Sequence, residues 1–162
     1  MKSREYWVRI MIKQDFDQLL SGVVKAVLET MFFTTPLVPC EPETSNNALE
    51  ARLNFHGFPS GTLSVRLSEA SARTLGAGFL GKDEEALEDI QVRQVVCELS
   101  NMLCGSLVSK LESDRRFDLD SPELIPFESN DVNGPEAPLV TQQSFGIENG
   151  ILTVTLHLGV VA

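Results

Sequence analysis

The chain has 162 residues, of which 43% are hydrophobic and 22% are charged, and its formal net charge is −10. This length and composition predict a single globular domain spanning residues 1–162. The acidic balance argues against nucleic acid as a ligand, since that function needs a basic surface, and it also disfavours an anionic membrane surface.

The beginning of the chain and the cysteines indicate a cytoplasmic protein. Residues 1–14 mix charged residues with Trp7 and Ile10 and lack a small-residue cleavage site, so they do not form a secretory signal. No apolar run approaches the roughly 20 residues of a membrane-spanning helix. The odd cysteine count, Cys40, Cys97 and Cys104, favours reduced thiols. Cys97 and Cys104 share one side of a predicted helix, which favours two buried thiols over a metal site.

The first half of the chain predicts a helix, a hairpin and a second helix. Helical spacing of apolar residues covers 15–33, and Thr34-Thr35-Pro36 ends it. Alternating residues over 49–55 and 63–67 flank a Gly- and Pro-containing turn, which is typical of a β-hairpin. Ser68 then begins a short helix that runs to about Phe79, and Gly81 closes it.

The second half predicts a long helix, a loop and a second hairpin. Residues 83–112 form the longest predicted helical segment, and the proline-rich, acidic stretch 113–138 predicts a loop with one short strand near Phe117. Strands over 140–147 and 152–158 flank Asn149-Gly150, the strongest short hairpin signal. The expected fold is therefore α+β, with an antiparallel sheet of hairpins packed with two long helices.

A glycine-rich segment, Gly76-Ala-Gly-Phe-Leu-Gly-Lys82, has the spacing of a nucleotide-binding loop. Such a loop needs a buried strand before it and a helix after it, whereas the residues before Gly76 are helical and polar. Asp83 also stands where a phosphate loop needs Ser or Thr. We therefore interpret the segment as a glycine-rich helix end.

The predicted helix around Glu98 has two distinct faces at a rotation of about 100° per residue. One broad face is apolar and predicts burial: Val92, Val96, Leu99, Leu103, Cys104, Leu107 and Leu111. The opposite stripe is narrow and polar: Gln91, Gln94, Glu98, Asn101, Gly105 and Ser109.

Within this stripe Glu98 and Asn101 are neighbours, because they lie three positions apart. Gly105 removes a side chain one turn later, although a glycine inside a helix costs about 1 kcal/mol relative to alanine. Close approach of another surface would explain it, and Met102 and Val95 beside the stripe would add apolar contact. Spacing alone leaves a solvated polar face as the commoner alternative. His56 and His157 lie in predicted strands, where a surface or packing role is expected.

The run Glu98-Leu-Ser-Asn101-Met-Leu-Cys-Gly105 resembles the Glu-x-x-Asn, then Gly, signature of the CheC/CheX/FliY chemotaxis phosphatases. The family pattern continues to a proline, for which Pro122 is suitably placed, and the likeness extends to 75–81, Asp89 and the closing hairpin. CheC-type members carry the signature twice. Here the first helix has Glu29-Thr-Met-Phe32 without Asn, so a single site and the CheX type are implied.

The resemblance implies a CheC-like fold, a phosphorylated CheY-type response regulator as partner, and a mechanism. Asn101 would orient the water that attacks the aspartyl phosphate, and Glu98 would pair with the regulator's lysine. Gln94, Met102 and Gly105 would contact the partner. No metal or cofactor is expected on this chain, because Mg²⁺ would sit on the regulator. Relatives of the CheX type imply a homodimer joined through sheet edges.

Two other functions remain open from the sequence. One is a non-catalytic module that docks a response regulator or a flagellar-switch component. The other is a structural subunit without a regulator partner, in which Glu98 and Asn101 would tolerate any polar change.

Overall fold

The structure is a computed structural model, and it describes residues 2–37, 48–57, 59–111, 116–125 and 139–159. These residues form three α-helices and a six-stranded sheet. The helices are α1 (Lys2–Met31), α2 (Glu69–Leu80) and α3 (Asp89–Leu111). The strands are β1 (Ala48–His56), β2 (Gly61–Ser68), β3 (Asp118–Leu119), β4 (Glu123–Ile125), β5 (Leu139–Ile147) and β6 (Gly150–Leu158).

The sheet is antiparallel and runs in the order β3-β1-β2-β6-β5, with β4 also paired to β1. Most apolar residues of the central strands are buried, and α3 packs across β1 and β2 while it also contacts α1 and α2. The core side chains of these strands are Ala51, Leu53, Phe55, Leu63, Val65, Leu67, Leu152, Val154 and Leu156. The expected α+β architecture is confirmed.

Both predicted hairpins and the short helix are confirmed. The turn of the second hairpin places Asn149 at a φ of 65°, a left-handed conformation that Asn tolerates. Ser68 caps α2 by accepting a hydrogen bond from the backbone N–H of Ser71 at 3.1 Å. Gly81 ends α2 at a φ of 65°, so the glycine-rich segment is a helix end, as the sequence predicts.

The ends of the two long helices differ from the prediction. Helix α1 begins at Lys2 rather than Asp15, and its 30 residues exceed the 23 of α3, so the 83–112 segment is not the longest helix. Residues Glu84–Ala86 form a separate 3₁₀ turn, and α3 starts only at Asp89. Its start is capped by the side chain of Gln91, which accepts a hydrogen bond from the backbone N–H of Glu88 at 3.0 Å.

The loop expected over 113–138 contains more structure than one strand. The strand near Phe117 is present as β3, and β4 is an additional strand that the sequence analysis missed. Both pair with the same edge of β1, through Phe55 with Leu119 and Ala51 with Leu124. The acidic stretch 126–138 lies outside the described residues.

Candidate functional site

Helix α3 buries one face in the core and presents the side chains of the predicted site on its opposite face. Its apolar face is buried as expected, from Val92 at 1% exposed to Leu107 at 0%. Glu98 and Gln94 are exposed, and Asn101 is half-buried on the outward side. The helical pattern thus predicted the orientation of the catalytic candidates, because burial of one face dictates what the other face presents.

The outward side of α3 forms one wall of a cleft of about 760 Å³. The β3–β4 segment forms the other wall. The cleft is lined by Ile90, Arg93, Gln94, Cys97, Glu98, Asn101, Leu119, Asp120, Ser121, Pro122 and Leu124. The structure therefore brings Glu98 and Asn101 together with Pro122, the proline that the family pattern singled out.

The β3–β4 wall is held in place by strand pairing and by polar contacts at Asp120. The backbone N–H of Asp120 donates to the carbonyl oxygen of Asn54 at 2.9 Å. The Nε2 atom of His56 lies 3.1 Å from both carboxylate oxygens of Asp120. Leu119 and Leu124 are half-buried and pack against the core. These contacts give the wall a defined position despite its short strands.

The start of α3 is tied to α2 through Arg73. The guanidinium of Arg73 donates to the carbonyl oxygen of Leu87 at 3.1 Å and forms ion pairs with Asp89 and Glu69. Asp89, which belongs to the family resemblance, thus anchors the first turn of α3. Since Glu98 and Asn101 lie on the same rigid helix, this anchor also orients the cleft.

The two described cysteines differ in their surroundings. Cys104 is fully buried, as predicted, and burial raises the pKa of its thiol from 9.0 to about 12. The prediction of burial was wrong for Cys97, which is half-buried and lines the cleft. Its pKa is raised first by desolvation and then by the neighbouring carboxylate of Glu98. Cys40 lies outside the described residues.

The remaining partner candidates surround the cleft or lie in the core. Gln94 lines the cleft, whereas Met102 is half-buried and packs against the core. Gly105 has nothing within 4 Å of the position where a Cβ would stand. Val95, expected to flank the polar stripe, is 3% exposed and belongs to the core.

Several lining residues escaped the sequence analysis, among them Ile90, Arg93, Asp120 and Ser121. Pro122 was the one signal that pointed to the second wall. The pairing of β3 and β4 with β1 joins segments distant in sequence, and the helical pattern of α3 carries no information about it.

The two histidines lie in strands, and neither lines the cleft. His56 is exposed and supports Asp120. Burial, and then the nearby charge of Arg52, lowers the pKa of His157 from 6.5. These positions agree with the surface and packing roles expected for the histidines.

The cleft offers an amide and a carboxylate on one rigid helix, an arrangement suited to orienting groups supplied by a docked molecule. Among the described side chains, no group of three His, Cys, Asp or Glu residues could hold a metal ion. None of the described helices is long and apolar enough to cross a membrane.

A family model described as the chemotaxis phosphatase CheX matches residues 50–140. This range includes α3, both walls of the cleft and all of the first hairpin except its first two residues. No curated protein matches the sequence at a significant level.

Solved structures of low sequence identity share the fold. CheX of Vibrio vulnificus is 20% identical with a TM-score of 0.72, and the match covers 90% of this chain and 97% of that protein. A chain of the CheX-CheY-BeF₃-Mg²⁺ complex of Borrelia burgdorferi is 15% identical with a TM-score of 0.69, covering 88% and 96%. A CheC-like superfamily protein from Shewanella is 21% identical with a TM-score of 0.64, covering 89% and 97%.

Proposed function

The chain belongs to the family of the chemotaxis phosphatase CheX, and we propose that it hydrolyses the aspartyl phosphate of a CheY-type response regulator. The observation that carries the proposal is the placement of Glu98 and Asn101 side by side in a cleft on α3. The Borrelia structure, in which a protein of this fold occurs in a complex with CheY, BeF₃ and Mg²⁺, supports the choice of partner.

Asn101 orients the attacking water in the proposed mechanism. The regulator supplies the phosphorylated aspartate and the Mg²⁺, so the phosphatase needs only to place a water in line with the phosphorus. A carboxamide suits this task because it both donates and accepts hydrogen bonds and carries no charge that would repel phosphate. Asn101 is half-buried on a helix interior, which limits the positions that its amide can take.

Glu98 sets the docking register by pairing with the lysine of the regulator's phosphorylation site. Its side chain is exposed, so a partner can reach the carboxylate without displacing the core. A charge-assisted hydrogen bond to lysine is stronger than a neutral one and has a defined geometry.

Gln94, Met102 and Gly105 complete the proposed contact surface around this pair. The open space at Gly105 supports this role, because no neighbour within the described chain accounts for the absence of a side chain there. We further propose one domain over 1–162, a cytoplasmic location, and a homodimer formed through sheet edges, of which β5 is one.

The proposal is tested by following the decay of phosphate on purified response regulators with wild type, Asn101→Ala and Glu98→Gln. Ser109→Ala is a matched control, because Ser109 is exposed on α3 but does not line the cleft. We expect wild type and Ser109→Ala to accelerate decay equally. Asn101→Ala should lower kcat by about 100-fold, the scale expected when a reacting water loses its orientation.

Two results would contradict the phosphatase mechanism. Equal acceleration by wild type and Asn101→Ala would remove Asn101 from the reaction. Binding of a phosphorylated regulator without any acceleration would favour the non-catalytic docking module instead.

A further inference from the structure

Several residues that line the cleft are apolar and take no part in the proposed catalytic pair. Ile90 is 60% exposed and lines the cleft on the α3 side. Leu119, Pro122 and Leu124 line the same cleft from the β3–β4 wall. Neither Glu98 nor Asn101 requires these side chains for the chemistry described above.

The apolar lining residues and the pair Glu98 and Asn101 belong to the same cleft, which forms a groove along α3. Ile90, Gln94, Glu98 and Asn101 follow one another at helical spacing on the same side of the helix, and all four line the cleft. A helix rises 1.5 Å per residue, so the groove extends about 16 Å from Ile90 to Asn101. A partner protein that fills the whole groove contacts both Asn101 and Ile90.

The groove is formed before any partner arrives. Leu119 pairs with Phe55 and Leu124 with Ala51 in the sheet, and the backbone of Asp120 is bonded to Asn54. A docking surface whose walls are already ordered loses little conformational entropy on binding. The apolar centre also has a polar rim, formed by Arg93 and Asp120, as protein interfaces do.

The charges of the groove favour a response regulator over a second copy of this chain. The carboxylate of Glu98 borders the groove on α3 and complements the lysine of a regulator's phosphorylation site, whereas Asp120 on the opposite wall pairs with His56. A second copy would bring another net charge of −10 to this acidic surface.

We propose that Ile90, Leu119, Pro122 and Leu124 form a docking subsite that receives an aliphatic side chain of the response regulator. This inference rests on the proposed function and divides its groove into two parts. The apolar subsite determines how tightly the regulator binds, and Glu98 with Asn101 determines how fast the bound phosphate is hydrolysed. Ile90 is thus a specificity-determining residue.

The test compares Ile90→Ala with Leu80→Ala. Leu80 is a suitable control because it is 40% exposed on a helix and does not line the cleft. For each variant, KM and kcat are measured with the phosphorylated regulator, and Kd is measured with the BeF₃ and Mg²⁺ form. We expect Ile90→Ala to raise KM and Kd by about tenfold, as truncation of a central interface side chain does, with kcat within about twofold of wild type. Leu80→Ala should match wild type.

A second variant tests the same subsite by filling it. Ser121→Trp places a large ring in the cleft from an exposed position on the β3–β4 wall, so it should raise Kd without unfolding the protein. Circular dichroism and thermal unfolding of all variants confirm that the fold is retained.

The subsite is overturned if Ile90→Ala and Ser121→Trp bind the regulator as wild type does. It is equally overturned if Leu80→Ala raises Kd as much as Ile90→Ala, or if Ile90→Ala lowers kcat and leaves KM unchanged. A wild type that neither binds nor accelerates any regulator rejects the proposed function, and this inference with it. If wild type is active and both Ile90→Ala and Ser121→Trp behave as wild type does, the subsite is rejected and the proposed function is retained.

Discussion

Helices α1 and α3 each contain a glutamate, Glu29 and Glu98, near the outer surface. The residue three positions after each glutamate lies in the core in one case and at the cleft in the other. In Glu98-x-x-Asn101 the second residue is half-buried at a cleft. In Glu29-x-x-Phe32 the second residue is 2% exposed, and its ring stacks on Phe79 with centroids 5.1 Å apart. The same spacing thus supplies a site within α3 and a core contact directly after the end of α1.

Two glycines show what differs beside these motifs. Near the end of α1, a Cβ on Gly78 of α2 would stand 3.1 Å from the carbonyl oxygen of Phe32, so the two elements are closely packed. Beside the α3 motif, a Cβ on Gly105 would have no neighbour within 4 Å. The comparison teaches that the opposing element decides the role: α2 closes over Phe32, whereas the β3–β4 wall leaves a cleft beside Asn101.

The largest expected difference is in the free energy of unfolding when the last residue of each motif, Phe32 or Asn101, is replaced by alanine. Phe32→Ala should lower the free energy of unfolding by about 3–5 kcal/mol, because it removes a fully buried aromatic side chain. Asn101→Ala should raise it by up to about 0.5 kcal/mol, because alanine is the better helix former at a half-buried position. Chemical denaturation of both variants measures the difference, and equal losses of stability would contradict the assignment of the two surroundings.

A smaller effect is expected from adding a methyl group at the two glycines. Gly105→Ala should raise the free energy of unfolding by about 1 kcal/mol, because alanine favours the helix and the new methyl group meets no neighbour. Gly78→Ala should gain less or lose stability, because its methyl group approaches the carbonyl oxygen of Phe32. Thermal unfolding compares them, and a shift of about 2–4 °C is expected for Gly105→Ala.

The same glycine variants also test docking. Gly105→Ala should weaken binding of the regulator although it stabilises the protein, whereas Gly78→Ala should leave binding unchanged. An increase in stability at Gly105 without any loss of binding would remove this glycine from the contact surface.

The smallest expected effect is a change in the reactivity of Cys97, the thiol that lines the cleft. Its alkylation rate is measured in a Cys40→Ser background, so that Cys40 does not contribute. Desolvation and then Glu98 raise the pKa of Cys97 above the ordinary value of 9.0, so the alkylation rate should still be increasing with pH at that value. Glu98→Gln lowers this pKa and should speed alkylation at fixed pH by less than about tenfold, since burial, the larger cause, is unchanged.

Glu29→Gln is the matched control, because it changes the corresponding glutamate of α1 and should leave the rate unchanged. Cys104 should not react at neutral pH, since its thiol is buried and has a pKa of about 12. An identical rate in wild type and Glu98→Gln would show that the Glu98 carboxylate does not act on the thiol in the cleft.

Local patterns predicted the elements whose folding signals lie within a few residues. The hairpin turn at Asn149-Gly150, the cap at Ser68 and the end of α2 at Gly81 were all found from sequence, because each depends on one residue's conformational preference. The start of α1 was missed by many residues, because the prediction began the helix where the regular apolar spacing begins, at residue 15, whereas α1 begins at Lys2.

The sequence by itself determined the hairpins, the helices and the outward side of α3, since alternation and helical periodicity specify which face an element buries. It also placed Glu98 and Asn101 together, because they share one helical turn. Only the tertiary structure decided that α3 faces a second wall, that Cys97 lies in the cleft and that Phe32 does not. These features depend on the pairing of β3 and β4 with β1 and on the packing of α2, contacts between segments distant in sequence that no local periodicity encodes.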